Sequence, residues 1–343
     1  MRAPQRGTIH SVFNAAANII FPHPYYDTKP AAEPNRSHSK GGADVGQGPL
    51  WSPSARDAHP HYDTNTHGNF VLSLNAAATP RMPNGLQLSS PAGDFPFSAL
   101  RVGMSVIFGA QRLHIEAIDC SLDLSQSPQW NPHIQRPDQL DMAILQKNYA
   151  HLQTIAEQWF HNVLDKSALY GNLRDPRRGL SAAERSAFQS FVPIADLSAR
   201  QSIPGFICSS PLSAPSHHET DILTLARYLC GRGIGLTPSG DDMLAGWMAA
   251  GWLLYGPEPA FLAACQHIVE IARQQTHILS SCWLKHASQG NMAEPIAALL
   301  YALTCADDSR LEIAMNAVLA MGATSGYDLL QGILLAPFIG YNR

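Results

Sequence analysis

The sequence predicts an α+β protein: an N-terminal antiparallel β portion, built as a small barrel or sandwich, followed by a C-terminal α-helical bundle. Three observations carry that expectation. Between 69 and 124, short runs such as Phe70-Val71-Leu72-Ser73-Leu74 and Met104-Ser105-Val106-Ile107-Phe108 alternate or cluster apolar residues between turn-formers. From about 137 onward, apolar residues recur instead at steps of three and four. From 219 the chain becomes a series of helix-length apolar segments with short polar connections, which should pack together as a bundle.

In chain order, 8–21 is an ordered element whose type the pattern leaves open. The segment 22–67 is rich in Pro, Gly, Ser, Asn, Asp and His and poor in aliphatics. Such a stretch buries too little apolar surface to offset chain entropy, so it is expected to be a mobile insertion. His23, His38, His59, His61 and His67 lie in it without the spacing of a compact metal site. Strands are expected at 70–74, 85–88, 104–108 and 113–118, with turns at Pro83-Asn84-Gly85 and Gly109-Ala110-Gln111. A period of two would put His114 and Glu116 on one strand face, as a solvated pair. Leu140, Leu145, Tyr149, Leu152 and Ile155 mark a long helix over 137–165. A polar stretch at 172–201 holds Arg174, Arg177 and Arg178, a small basic patch expected to be solvated. Helices then follow at 220–230, 238–255, 258–275, 277–286, 292–305, 309–321 and 325–338. The expected division is 1–136 for the β-rich portion and 137–343 for the helical domain.

Charged residues make up only 15% of the 343, against about 25% in typical globular proteins. With 45% hydrophobic residues, part of the buried surface is expected between subunits. A net charge of −4 offers no general attraction to nucleic acid, and no stretch is long enough to span a bilayer. The six cysteines have no Cys-x-x-Cys spacing and sit mostly among apolar residues, which points to reduced thiols and a cytoplasmic protein.

The chain is organised around Gly231-Arg232-Gly233-Ile234-Gly235-Leu236-Thr237-Pro238-Ser239-Gly240-Asp241-Asp242, a glycine-rich turn entering a helix without charge. This start has a second copy. Ser239-Gly240-Asp241-Asp242-Met243-Leu244-Ala245-Gly246 aligns with Ser325-Gly326-Tyr327-Asp328-Leu329-Leu330-Gln331-Gly332, 86 positions later. The shared pattern is Ser-Gly-x-Asp-x-Leu-x-Gly. Asp242 and Asp328 match, three residues after Ser, where a capping box would let each reach back to the helix start. Asp241 has no counterpart, since Tyr327 stands in its place, and is therefore the candidate for ligand chemistry. Thr276 to Ser281 open another helix with several hydroxyls, read first as caps.

Together with Thr276-x-x-Leu279-Ser280, Ala287-x-x-Gly290, Gly322-x-Thr324-Ser325-Gly326-x-Asp328 and His10-Ser11-Val12-Phe13, the glycine-rich block resembles the AllH-type family, associated with an oxamate carbamoyltransferase subunit. The resemblance implies anaerobic allantoin breakdown, in which oxalurate and phosphate become oxamate and carbamoyl phosphate on a multi-subunit enzyme. It implies partner subunits and a small-molecule substrate, and it assigns no catalytic residue. The residues suit such chemistry in a definite way. Asp241 and His277 are the catalytic candidates, with Asp241 facing an amide N–H or a magnesium ion. Gly235, Thr237, Ser239, Gly240, Thr324, Ser325, Gly326 and Arg273 are expected to bind substrate, through free N–H groups, hydroxyls and positive charge. Arg232 is a further source of positive charge. The alternatives are a non-catalytic assembly or regulatory subunit and a metabolite-binding protein without turnover.

Overall fold

The computed structural model describes residues 4–13, 15–21, 70–88, 95, 97–166, 222–233, 236–322 and 324–337. The expected insertion at 22–67 and the arginines at 174–178 lie outside them.

Among the described residues, the first half is one sheet. Seven strands, β1 (Gln5–Val12), β2 (Ala16–Phe21), β3 (Phe70–Ala76), β4 (Gly85–Leu88), β5 (Ser105–Gly109), β6 (Arg112–Ile115) and β7 (Cys120–Asp123), run in the order β4-β3-β2-β1-β5-β6-β7. They curl into a half-barrel rather than two facing sheets. The element of open type at 8–21 is a hairpin, in which Ile9 pairs with Ile19 and Phe13 N–H donates to Ala16 O at 2.7 Å. Alternation in β2 buries Ala17, Ile19 and Phe21, which join Ile9, Leu74, Val106, Leu113 and Ile115 in a compact apolar cluster. Phe97 and Leu100, beside a short 3-10 turn, cover it.

Two details depart from the expected pattern. The strand pairs are antiparallel except β3 and β4, which run parallel with Ser73 opposite Gly85. Gln87 Nε2 donates to Ala77 O at 3.0 Å and Thr79 O at 2.8 Å, gathering the short connection that lets β4 come alongside in that direction. The second concerns Glu116, which opens a 3-10 turn instead of extending β6. His114 Nδ1 instead contacts Ser121 Oγ at 2.9 Å, and Glu116 ion-pairs with Arg6 at 3.3 Å. The β5–β6 turn was legible in outline: Ala110 and Gln111 both take positive φ, the conformation that joins twisted strands through two residues.

The second half is helical. Eight α-helices are described: α1 (Met142–Lys166), α2 (Ile222–Leu229), α3 (Ser239–Tyr255), α4 (Pro259–Gln275), α5 (Ile278–Ser288), α6 (Glu294–Leu303), α7 (Asp308–Leu319) and α8 (Ser325–Leu335). A second, larger apolar cluster runs through all of them, and α3 lies at its centre with Leu244, Trp247, Met248, Ala249, Ala250 and Leu253 buried. Among the described residues no helix is long and apolar enough to cross a membrane. The halves meet at main-chain level, where Ile134 N–H donates to Gly290 O, Met292 N–H to Pro132 O and Glu294 N–H to Arg81 O. Arg136 Nε donates to Leu253 O at 2.8 Å, placing a cation at the carbonyl end of α3.

Candidate functional site

The two copies of Ser-Gly-x-Asp start α3 and α8, and these helices lie side by side and parallel. Three contacts fix that geometry. A Cβ added to Gly246 would overlap the Leu329 carbonyl, and one added to Gly332 would overlap the Met243 carbonyl. These two are reciprocal under an exchange of residues 86 apart, so a local two-fold axis runs between the helices. At the start of both helices Thr237 Oγ1 and Ser325 Oγ are 2.9 Å apart. Asp242 lies one turn before Gly246 and Asp328 one turn before Gly332, so both carboxyls belong to the faces that meet at the axis.

Glycine is required at the helix starts for a separate reason. A Cβ on Gly240 would overlap the Leu229 carbonyl at the end of α2, and one on Gly326 the Val318 carbonyl near the end of α7. Each helix therefore begins in contact with the backbone of a preceding one. The amides of these glycines, expected to be free for an anion, close the loops instead: Gly240 N–H donates to Arg232 O at 2.9 Å and Gly326 N–H to Met321 O at 3.1 Å.

The capping-box expectation is corrected by the same geometry. α3 has Pro238 and α8 has Thr324 at the N-cap, and neither helix has a side-chain cap hydrogen bond. Helix geometry begins one residue earlier than the capping pattern assumes, and one residue turns a side chain by about 100°.

Asp241 consequently faces away from α8. It is 1% exposed and accepts three hydrogen bonds, from Gly231 N–H at 2.9 Å, Thr276 Oγ1–H at 2.5 Å and Ser280 Oγ–H at 2.6 Å. These donors come from the glycine turn, the end of α4 and the first turn of α5, so one carboxyl ties three segments together. Thr276 and Ser280, read first as caps, donate to Asp241, and α5 has His277 at its N-cap without a side-chain cap bond. Burial raises the Asp241 pKa above the usual carboxylate value, with the three donors and nearby His277 opposing the shift.

Asp242 is 8% exposed, and its Oδ2 accepts no hydrogen bond. Burial pushes its pKa well up, the charge of Asp328 adds to the shift, and the Ser325 and Thr237 hydroxyls beside it oppose it. Thr237, Ser325, Asp242 and Asp328 thus form one polar corner at the shared end of two helices; Ser239 and Thr324, in the same two starts, are half-buried.

The remaining candidates fall elsewhere. Arg273 ion-pairs with Glu270 at 2.7 Å on the outer face of α4, and the Arg232 guanidinium stacks 4.5 Å over the Tyr228 ring. His277, at the N-cap of α5, acts on Asp241 electrostatically. Gly235 lies outside the described residues. Among the described residues no three His, Cys, Asp or Glu side chains are grouped to hold a metal ion, and Asp241, expected to face magnesium, has its oxygens on protein donors. Burial raises the thiols of Cys230, to about 12, and of Cys265, which keeps both protonated.

Residues 229–337 match the family model of oxamate carbamoyltransferase subunit AllH. The matched segment runs from the end of α2 to just past α8 and so contains both helix starts and every donor to Asp241. No solved structure matches the chain. Asp242 and Asp328 are the participants that sequence reasoning placed differently, as caps. The repeat held the signal, since equal residues on parallel partners meet at the axis, but helix direction is absent from a one-dimensional pattern.

Proposed function

We propose that the chain is a component of an oxamate carbamoyltransferase-like complex and binds a small amide or carbamoyl-bearing metabolite where α3 and α8 begin. The observation that carries this reading is the meeting of the two motif-bearing helix starts, through Thr237 and Ser325, inside the segment that matches the family. The reaction would belong to allantoin breakdown in the cytoplasm, where buried reduced thiols are at home. A phosphate oxygen bonds to the carbamoyl carbon of oxalurate and the C–N bond to the oxamate nitrogen breaks. That nitrogen keeps the electron pair and takes the proton that phosphate gives up. The positive ends of two parallel helices favour the carbonyl oxygen or phosphate, and the Thr237 and Ser325 hydroxyls can donate to either. Asp241 supports the corner from behind, as a positioning residue that holds the glycine turn against α4 and α5. His277, Arg273 and magnesium keep a place in this reading only if partner subunits reshape the site.

A second reading, a non-catalytic assembly subunit, draws on the inward commitment of Asp241, Thr276 and Ser280. Assaying phosphate-dependent oxalurate cleavage with and without partner subunits, using wild type and Ser325→Ala, separates the two. A site in this chain requires Ser325→Ala to lower turnover in an assembled complex. Full turnover with Ser325→Ala favours the assembly role.

A further inference from the structure

We infer that Asp242 and Asp328 form a carboxyl pair that accepts the N–H groups of a carbamoyl or primary amide ligand, and so select such ligands over isosteres without N–H. The inference rests on the proposed binding corner and names the groups that confer its specificity.

Three observations lead to it. The reciprocal contact of α3 and α8 sets the turns that carry the two carboxyls on facing sides of one axis, with Asp242 buried and Asp328 half-buried. Asp242, more than nine-tenths buried, has an oxygen without a hydrogen-bond partner, and a buried carboxyl oxygen left so is costly unless a ligand donor meets it. The hydroxyls of Thr237 and Ser325 stand in the same corner.

Charge then decides the ligand class. A bare anion meets two carboxyls, while a metal cation meets two positive helix ends and finds no third acidic or imidazole group among the described residues. A carbamoyl group is dipolar and suits both features at once. Its carbonyl oxygen lies toward the helix ends and hydroxyls, and its NH₂ donates to Asp242 and Asp328. A site built to hydrogen-bond an N–H group discriminates strongly against an analogue lacking it, because the acceptors are then buried unpaired.

Carbamoyl phosphate and acetyl phosphate differ by NH₂ against CH₃ and test this directly. Calorimetric titration of the full chain, alone and with its partner subunits, should find carbamoyl phosphate bound at least about tenfold more tightly. The preference should collapse in Asp242→Asn and in Asp328→Asn, each confirmed folded by its melting curve. Equal binding of the two phosphates by wild type, a preference that survives in both variants, or no binding of either would overturn the inference. Oxalurate cleavage measured in parallel keeps the two claims apart. Cleavage that persists in both variants leaves the proposed function standing without the carboxyl pair. A carbamoyl preference that depends on Asp242 and Asp328 in a complex without cleavage leaves the pair standing without the transferase.

Discussion

The starts of α3 and α8 share Ser, Gly and Asp, yet the residue just before the shared aspartate differs between them. At α3, Asp242 faces the axis while Asp241 is held by three donors from the glycine turn and from α4 and α5. At α8, Asp328 holds the equivalent place beside the axis, but Tyr327 stands where Asp241 would be and lies close to Gln331 of its own helix. The difference teaches which parts of the motif serve the pairing of the helices and which serve one copy alone. The second glycine and the second acidic position belong to the shared axis, the first glycine seats each helix start on the preceding helix, and Asp241 belongs to the α3 surroundings.

The largest effect expected tests the axis. Gly246→Val and Gly332→Val each place a Cβ against a backbone carbonyl that cannot move without moving its helix. Each should cost about 3 kcal/mol in urea unfolding. Losses that differ widely between the two variants would break the two-fold description.

Asp241→Asn comes next. It turns an acceptor of three hydrogen bonds partly into a donor and should cost about 2 kcal/mol, whereas Tyr327→Phe should cost less than about 1 kcal/mol. Similar melting shifts for the two would mean that the copies are anchored alike.

The third effect has the opposite sign and depends on pH. The folded pKa of Asp242 is raised above its unfolded value, so the folded state holds this proton more tightly. Stability is then greatest below the unfolded pKa and falls as pH rises through the window up to the folded one. Asp241, also raised, adds to the same trend. Asp242→Asn removes its share and should be more stable than wild type at pH 7, by about 1 kcal/mol or more. The gain should vanish near pH 4, and a variant gain that is independent of pH would exclude a raised Asp242.

The smallest effect concerns the hydroxyl pair. Thr237→Ala and Ser325→Ala each remove the same 2.9 Å contact and should each cost about 1 kcal/mol, with the double variant losing much less than the sum. Additive losses would show that the two hydroxyls act separately.

Helix positions were largely legible because apolar spacing and short connections leave few alternatives: the expected 238–255 and 258–275 appear as Ser239–Tyr255 and Pro259–Gln275. The parallel pairing of β3 with β4 was not, since a turn signal at Pro83-Asn84-Gly85 says that the chain reverses but not which edge it returns to. In the candidate site, the repeat identified the residues that meet. The expected duties of its carboxyls depended on the helix boundary, and with Pro238 rather than Ser239 at the N-cap the two adjacent side chains point to different neighbours. Boundaries of one or two residues are the least certain feature of any sequence pattern, and here one residue separates a carboxyl that holds the fold from one that faces the corner.

Parallel contact between α3 and α8 also has a bearing on how the chain is made. Two parallel neighbours require the backbone to travel back before the second can begin, and here α4 to α7 intervene. The groove over Gly246 therefore stays uncovered until Gly332 has left the ribosome, close to the last residue described. A nascent chain halted before Ser325 would carry an open apolar strip along its central helix, the kind of surface that recruits chaperones or other copies. Closure of the strip along α3 is thus set by α8, whatever order the intervening helices adopt.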